Sequence, residues 1–277
     1  MRSGPGVTDR YAVIGNPVAH SKSPWIHARF ARQTGEDIDY RALAAPLEGF
    51  ARVVHEFRSA GGKGANVTLP FKQEAFRLAG TLSERARAAR AVNTLLLEED
   101  EIRGDNTDGI GIVRDLLVNA GFMLAGSRVL LMGAGGAAQG VLLPLLEAAP
   151  AALVIANRTV DKARALAARF PGVAASAYPQ LAGERFDLVI NATSAGLNDA
   201  LPDALPPLPP ALFRAGALAY EMVYGRDTAF MRYARREGAA RVVDGLGMLV
   251  EQAAESFFLW RGVRPATQPV LAALRGA

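Results

Sequence analysis

The 277-residue sequence contains no cysteine. This absence excludes disulfides, thiol nucleophiles and cysteine-ligated metals, and it is typical of a reducing compartment. Histidine is also scarce, with three residues, and no clustered spacing of His, Asp or Glu is typical of a metal site. We therefore expect no metal, so any redox chemistry must come from a bound cofactor.

Long hydrophobic runs are missing as well. The longest charge-free run, residues 129–146, contains four glycines, Gln139 and Pro144. That composition fits a strand, a glycine turn and a helix, and not a membrane span. Residues 1–9 carry no apolar core of signal-peptide length, which predicts a cytoplasmic protein that does not contact a membrane.

Blocks of basic residues are absent too, although the net charge is +4. Arginines alternate with acids along helical stretches such as residues 83–90, and this pattern argues against a nucleic-acid partner. The small surplus indicates a mild preference for anionic small molecules. The oligomeric state stays open between a monomer and a homodimer.

Lysine is rare, because only four of the 31 basic residues are lysines. Lys72 ends the segment 66–72 and falls in the first turn of a predicted helix, where the helix dipole opposes a cation. An ammonium can exchange a proton that a guanidinium keeps. Lys72 is therefore a candidate for proton transfer, and the alternative is a solvated surface lysine.

Apolar periodicity divides the chain into two α/β regions. In the first, we predict strands at 11–15, 40–44, 64–68, 92–97 and near Ile102, with helices at 23–35, 47–60 and 71–79. Ser23 is the predicted N-cap of the first helix and Pro24 its first helical residue. The strands flanking residues 98–101 suggest a hairpin, so this region has a mixed sheet.

The second region begins with a helix from Asp108 to Gly121 and then alternates strand and helix. Strands are predicted at 128–132, 153–156, 188–191, 217–222 and near Val242, with helices after the first two and a long closing helix at 248–260. Residues 201–210 hold five prolines and are predicted to form a surface loop. The alternation is that of a doubly wound nucleotide-binding domain.

A glycine motif marks the first turn of that second region. Gly133, Gly135 and Ala138 fit the pattern G-x-G-x-x-[GA] directly after an apolar strand. The glycines permit a tight turn and let backbone N–H groups approach a pyrophosphate at a helix N-terminus. The motif predicts a dinucleotide site, and its alternative is a tight turn without a ligand.

The end of the following strand indicates which dinucleotide would bind. An NAD site usually places an acid there for the ribose 2′-hydroxyl. This chain instead has Asn157, Arg158 and Thr159, with Lys162 one turn later. Cations and donors suit a 2′-phosphate, so the predicted cofactor is NADP, unless Arg158 merely faces solvent.

Polar residues near other element ends suggest a substrate site. Ser21 and Ser23 precede a helix N-terminus, where two hydroxyls could hold a carboxylate, although Ser23 could serve only as a cap. Asp108 opens a helix, where it could be a cap or a partner for a lysine. Together with the lysine and the glycine turn, these residues suggest a nicotinamide-dependent oxidoreductase.

From about Tyr11 to the C-terminus, the chain resembles the shikimate dehydrogenase family. The resemblance is carried by ordered motifs at residues 15–17, 20–24, 66–72, 91–94, 104–109, 133–140, 157–159, 191–194, 222–225 and 244–249. It implies NADPH-dependent reduction of 3-dehydroshikimate to shikimate, in the pathway to aromatic amino acids. The implied fold is an α/β substrate domain with a mixed sheet and a Rossmann-like doubly wound NADP domain, with the active site in the cleft between them.

The resemblance also implies domain limits and residue roles. The substrate domain would be residues 1–107 completed by the C-terminal helices 245–277, and the NADP domain residues 108–244. The acid–base pair would be Lys72 with Asp108. The substrate residues would be Ser21, Ser23, Asn66, Thr68, Lys72, Asn93, Asp108, Tyr224 and Gln252. The cofactor residues would be Gly133, Ala134, Gly135, Gly136, Ala137, Asn157, Arg158, Thr159, Lys162, Thr193, Met222 and Gly245.

Two positions depart from the family pattern: Glu221 stands where aspartate is usual, and Ala195 stands where a second serine is frequent. Three alternatives remain. A quinate/shikimate dehydrogenase would accept a saturated ring and often NAD. A non-catalytic ligand sensor would be expected to lose Lys72 or the glycine turn, and this chain keeps both. A methylenetetrahydrofolate dehydrogenase shares the general architecture and a catalytic lysine, but the serine pair and the Asn-Thr-Asp run at 106–108 argue against it.

Overall fold

The computed structural model describes residues 8–193 and 205–276. They divide into two compact units: residues before Asp108 together with those from Val250 onward, and Asp108–Leu249. Part of the predicted proline loop, residues 201–204, and the Ser194–Ala195 step lie outside the described residues.

The first unit is built on a six-stranded mixed sheet in the order β2-β1-β3-β5-β6-β4. Its strands are β1 (Asp9–Gly15), β2 (Ile38–Ala44), β3 (Gly62–Val67), β4 (Thr81–Leu82), β5 (Thr94–Leu97) and β6 (Ile102–Asp105). The strands β2, β1 and β3 are parallel, whereas β5 is antiparallel to both β3 and β6. The predicted mixed sheet and hairpin are therefore confirmed.

Helices cover this sheet. They are α1 (Ser23–Thr34), α2 (Phe50–Ser59), α3 (Lys72–Leu78) and α4 (Glu84–Ala89), with the C-terminal α9 (Leu246–Arg261), which begins in the second unit, and α10 (Gln268–Arg275). Phe50 and Phe71 stack with ring centroids 5.0 Å apart inside an apolar cluster. The helix α2 begins at Phe50 and not at Leu47 as predicted, because the Gly49 N–H bonds the Pro46 carbonyl in a turn.

The second unit contains a six-stranded parallel sheet in the order β12-β11-β10-β7-β8-β9. Its strands are β7 (Arg128–Met132), β8 (Ala152–Ala156), β9 (Val173–Ser176), β10 (Phe186–Asn191), β11 (Phe213–Glu221) and β12 (Arg241–Val243). Strand order reverses between β7 and β10, which is the switch point of a doubly wound fold. The predicted Rossmann-like architecture is confirmed.

The helices of this unit are α5 (Asp108–Arg114), α6 (Gly136–Glu147), α7 (Val160–Ala167) and α8 (Ala229–Arg236). Beyond α5, where one helix to Gly121 was predicted, the backbone makes a π-helical turn over Asp115–Asn119. The sequence pattern missed α8, although the Thr228 hydroxyl caps it by accepting the Met231 N–H. It also missed β9, whose four residues are too short and alanine-rich to show alternation.

A buried polar pair anchors the π-helical turn. The Asp115 carboxylate is fully buried and accepts a 2.6 Å hydrogen bond from the Tyr220 hydroxyl. Asn119 donates to the same carboxylate at 2.9 Å. Burial first, and the Asp115 charge second, raise the pKa of Tyr220 well above its ordinary value. Tyr220 therefore stays a donor to a charge that water cannot reach.

Replacing Tyr220 with Phe should lower the free energy of unfolding by about 1.5–3 kcal/mol, because a hydrogen bond to a buried charge is lost. Tyr233→Phe is the matched control, since the Tyr233 hydroxyl donates to the neutral Pro209 carbonyl at 2.7 Å in a partly exposed place. Its cost should be about 0.5–1.5 kcal/mol. Urea unfolding of both variants measures the difference, and a Tyr220→Phe variant no less stable than Tyr233→Phe would contradict this reading.

Candidate functional site

Ser21 and Ser23 lie at the start of α1, but Ser23 does not occupy the predicted capping position. Lys22 precedes the helix without a side-chain cap, and Ser23 is already helical. The prediction that Ser23 is the N-cap was therefore wrong, and the Ser21 hydroxyl accepts the Ser23 N–H at 3.2 Å. Because Ser23 lies inside the helix, its buried side chain is not at the capping position and instead interacts with Tyr40.

Asn66 lies near the carboxyl end of β3, with its amide held on both sides. Its Oδ1 accepts a 2.8 Å hydrogen bond from Tyr40 of β2, which lies two strands away in the sheet. Its Nδ2 donates to Ser256 of α9 at 2.9 Å and to the Thr94 hydroxyl at 3.2 Å. These bonds fix which face of the amide is the donor, so its orientation does not depend on a ligand.

Asn93 continues the same network. Its Oδ1 accepts the Thr107 N–H at 2.8 Å and the Thr94 hydroxyl at 2.9 Å. Its Nδ2 donates to Thr107 at 3.0 Å and to Gln252 at 3.4 Å. These bonds join the predicted residues Asn66, Asn93 and Gln252 into one connected set of polar side chains. We call this set the amide network; its other members are Tyr40, Thr94, Thr107 and Ser256.

Tyr40 links this network to a buried aromatic cluster. The ring of His27 stacks on Tyr40 with centroids 4.1 Å apart and an interplanar angle of 6°. Burial lowers the pKa of His27 to about 3, so the ring is neutral and acts as a packing surface. Burial raises the pKa of Tyr40, which the Ser23 side chain partly offsets. Tyr40 is therefore a stable hydroxyl donor to Asn66.

Thr68 and Lys72 follow β3 directly. Thr68 is half-buried, and its carbonyl accepts the Phe71 N–H, which closes the turn into α3. Lys72 is the first residue of α3, one residue after the predicted helix start at Phe71, and its side chain is partly exposed. The Lys72 carbonyl accepts the Val92 N–H at 2.8 Å, so the backbone beside the lysine is tied to the chain just before Asn93.

In the second unit, the glycine turn connects β7 to α6. Gly133 has φ +104°, and a Cβ there would meet the Ala192 carbonyl oxygen at 3.0 Å. At Gly135 and Gly136 a Cβ would meet nothing within 4 Å, so the space outside the turn is open. The helix α6 starts at Gly136, which leaves its first N–H groups without helical partners. This geometry fits a pyrophosphate.

The carboxyl end of β8 presents a polar turn beside the glycine turn. Asn157 donates to the Thr159 carbonyl at 2.9 Å, which fixes the turn. Arg158 and Thr159 are exposed, and so is Lys162 in the first turn of α7. Two cations and the N-terminus of a helix therefore surround one small surface, which suits a phosphate monoester.

Two more of the predicted cofactor residues come just after β10 and β11. Thr193 follows β10, and Met222 follows β11. Gly245 packs so closely on the Met222 backbone that a Cβ would overlap its carbonyl. Tyr224 is half-buried, and burial raises its pKa. These residues lie on the same edge of the sheet as the glycine turn, because all its strands are parallel.

Asp108 is the first residue of α5 and is 9% exposed. The segment just before it is set by an ion pair in the first unit, in which Arg85 contacts both oxygens of Asp105 at 2.6 and 3.0 Å. Asp105 in turn accepts the Asn106 N–H at 2.6 Å. The last residues of the first unit before α5 are therefore held by charge as well as by backbone.

Tyr40 and Ser256 were not among the residues predicted for the site. Neither lies in a motif that stands out in the sequence, because a tyrosine in a strand and a serine in an apolar helix are ordinary core residues. Across the described ranges, 8–193 and 205–276, no group of His, Asp or Glu could hold a metal ion. Within those same ranges no helix has the length and apolar character needed to cross a membrane.

Three family models match the chain. Residues 13–95 match the shikimate dehydrogenase substrate binding domain, residues 117–198 match shikimate / quinate 5-dehydrogenase, and residues 245–275 match the shikimate 5'-dehydrogenase C-terminal domain. The first match contains most of the amide network, and the second contains the glycine turn and the polar turn after β8.

Individual proteins are similar over nearly the whole chain. The shikimate dehydrogenase (NADP(+)) of Methylobacillus flagellatus is 62% identical, with 97% of this chain and all of that protein covered. An Ael1 enzyme from Pseudomonas putida has a structure with a TM-score of 0.91 and 51% identity, covering 96% of this chain and 98% of that one.

A shikimate 5-dehydrogenase from Thermus thermophilus, solved in complex with NADP(H) and shikimate, has a TM-score of 0.85 and 37% identity. It covers 96% of this chain and 98% of its own. Sequence likeness, fold and ordered motifs therefore agree, and the chain belongs to the shikimate dehydrogenase family.

Proposed function

We propose that this protein catalyses the reversible, NADPH-dependent reduction of 3-dehydroshikimate to shikimate, in the pathway to aromatic amino acids. The observation that carries the proposal is the 62% identity, over the whole length of the relative, to a protein named shikimate dehydrogenase (NADP(+)). The amide network and the polar turn after β8 support the proposal, because they present polar groups suited to recognising the substrate and the cofactor.

Substrate recognition is assigned to the first unit together with Tyr224 and Asp108. Ser21, Ser23 and Tyr224 bind the carboxylate, since hydroxyl donors at a helix start suit an anion. The ring hydroxyls are read by Thr68, by Asp108 and by the amides of the network. An amide held by neighbours offers its remaining lone pair or N–H in one orientation, so hydroxyl position can be discriminated.

Cofactor binding is assigned to the second unit. The pyrophosphate lies over residues 133–137, where open space and free helical N–H groups coincide. The 2′-phosphate is held by Asn157, Arg158, Thr159 and Lys162, which makes NADP the preferred cofactor. Thr193, Met222 and Gly245 complete the site. The proposed domains are residues 1–107 with 245–277 for substrate and 108–244 for NADP.

Lys72 is assigned the proton transfer. The nicotinamide supplies the hydride when the cofactor is bound. Negative charge develops on the carbonyl oxygen during reduction, and an ammonium within hydrogen-bond reach stabilises that charge and delivers the proton. Asp108 is proposed as the acid–base partner of Lys72, which it orients in the substrate complex.

We also propose that the protein acts in the cytoplasm on a small molecule, as a monomer or a homodimer. Its main competitor is a quinate/shikimate dehydrogenase, because one matching family model carries both substrates in its name. A spectrophotometric assay of shikimate and quinate against NADP and NAD separates the two. Shikimate with NADP should give the highest kcat/KM, and a preference for quinate with NAD would overturn the proposal.

Lys72→Ala should fold and bind both NADPH and shikimate, and its kcat should fall at least about a hundredfold, because the proton donor is gone. Lys72→Arg should recover little, since a guanidinium keeps the charge but not the exchangeable proton. Lys63→Ala is the control, because Lys63 is an exposed lysine of β3. Near-normal kcat in Lys72→Arg would show that charge alone suffices.

Arg158→Ala should raise the KM for NADP about tenfold or more and leave the KM for NAD little changed, because one charge-assisted contact to the 2′-phosphate is lost. Arg164→Ala is the matched control, since Arg164 is an exposed arginine of α7 that pairs with Asp161. Steady-state kinetics with both cofactors gives the comparison. Equal effects on NADP and NAD would remove Arg158 from this role.

A further inference from the structure

Glu221 is a fully buried acid at the last position of β11. Its carboxylate accepts hydrogen bonds from three different groups: the Asn191 amide at 2.8 Å, the Thr228 hydroxyl at 2.7 Å and the Val223 N–H at 3.0 Å. All three atoms act as donors here, so the group they surround must be an acceptor on both of its oxygens. A carboxylate meets that requirement.

The hydrogen bond from Asn191 connects Glu221 to the end of β10. Asn191 and Glu221 are register partners on adjacent parallel strands. While the Asn191 Nδ2 is held by Glu221, its Oδ1 accepts both the hydroxyl and the N–H of Thr193, at 2.7 and 3.2 Å. The orientation of Thr193 is thus set by Glu221 through one intervening amide.

The hydrogen bonds from Val223 and Thr228 connect Glu221 to the chain after β11. Glu221 accepts the Val223 N–H directly, and the Met222 N–H bonds the Asn191 carbonyl. Thr228, the third donor, is the N-cap of α8 and accepts the Met231 N–H. The segment between β11 and α8 is therefore tied to the carboxylate near both of its ends.

The position of Thr193 and of the Met222–Val223 peptide in the sheet identifies which part of a dinucleotide they face. A dinucleotide crosses the switch point of a doubly wound sheet, here between β7 and β10. The 2′-phosphate residues follow β8, on one side of that point, so the adenosine half belongs there. The ends of β10 and β11 lie on the other side and face the nicotinamide half.

We propose that Glu221 is a positioning residue for the nicotinamide half of the cofactor, because its hydrogen bonds orient Thr193 and the Met222–Val223 peptide. This inference rests on the proposed function, which supplies the cofactor. Glu221 itself touches neither cofactor nor substrate. It acts through residues at the carboxyl ends of two strands.

Glu221→Gln tests the inference, because it keeps the shape but places an NH₂ group where an acceptor is needed. With the amide oxygen toward Asn191 and Thr228, the amide nitrogen faces the Val223 N–H, and two donors cannot bond each other. The variant should raise the KM for NADP at least about fivefold. Its affinity for adenosine 2′,5′-bisphosphate, which lacks the nicotinamide, should stay within about twofold of wild type by calorimetry.

Asp187→Asn is the matched control. Asp187 is an acid of β10 at the opposite end of the strand, where it accepts the Arg128 N–H at 2.8 Å and pairs with Arg214. Its neutralisation should change neither the KM for NADP nor the binding of the bisphosphate. Thr228→Val serves if Glu221→Gln does not fold, and it should raise the KM for NADP about two- to threefold, since one donor is lost and the carboxylate remains.

The outcomes separate the inference from the function on which it rests. Wild-type protein without shikimate oxidation by NADP would overturn the proposed function. Active wild type with an unchanged KM for NADP in Glu221→Gln, or in Thr228→Val where the former does not fold, would overturn only the positioning role. A loss of affinity for the bisphosphate as large as the rise in the KM for NADP would overturn it too. The defect would then not be confined to the nicotinamide half.

Discussion

The hydrogen bond from Asn66 to Ser256 connects parts of the chain 190 residues apart and holds the first unit's polar interior together. It ties the end of β3 to α9, and from there Thr94, Asn93 and Thr107 are reached through further side-chain bonds. Buried amides left without partners would cost about 1–3 kcal/mol each. The network avoids that cost and at the same time fixes the groups proposed to recognise the ring hydroxyls.

The second unit uses the same physical device at its own sheet edge. Strand ends present backbone and side-chain donors, and a buried acceptor, Glu221, holds two of these ends in place. Buried polar networks with every member satisfied are rigid, whereas partly satisfied ones are destabilising. Substrate recognition and cofactor positioning are therefore both assigned to residues whose orientation is fixed before any ligand arrives.

The sequence alone predicted the two α/β regions, the glycine turn and Lys72 at a helix start, because these depend on local periodicity and turn chemistry. It did not predict Tyr40 or Ser256, since their partners are distant in the chain and nothing local distinguishes them from core residues. Ser23 failed as an N-cap because the helix begins one residue earlier than its capping pattern indicates, with Lys22 in the N-cap position. Long-range partners and a one-residue shift in a helix start are the two things that a single sequence does not display.

The measurement that tests the amide network most directly is calorimetric binding of shikimate and NADP to Ser256→Ala. Loss of one partner of Asn66, worth about 1 kcal/mol, should weaken shikimate binding about fivefold and leave NADP binding unchanged. Ser127→Ala is the control, because its hydroxyl is also buried and donates to the Leu124 carbonyl at 2.6 Å in the second unit. Wild-type affinity for shikimate in Ser256→Ala would show that the network does not hold the recognising amide and would contradict the account.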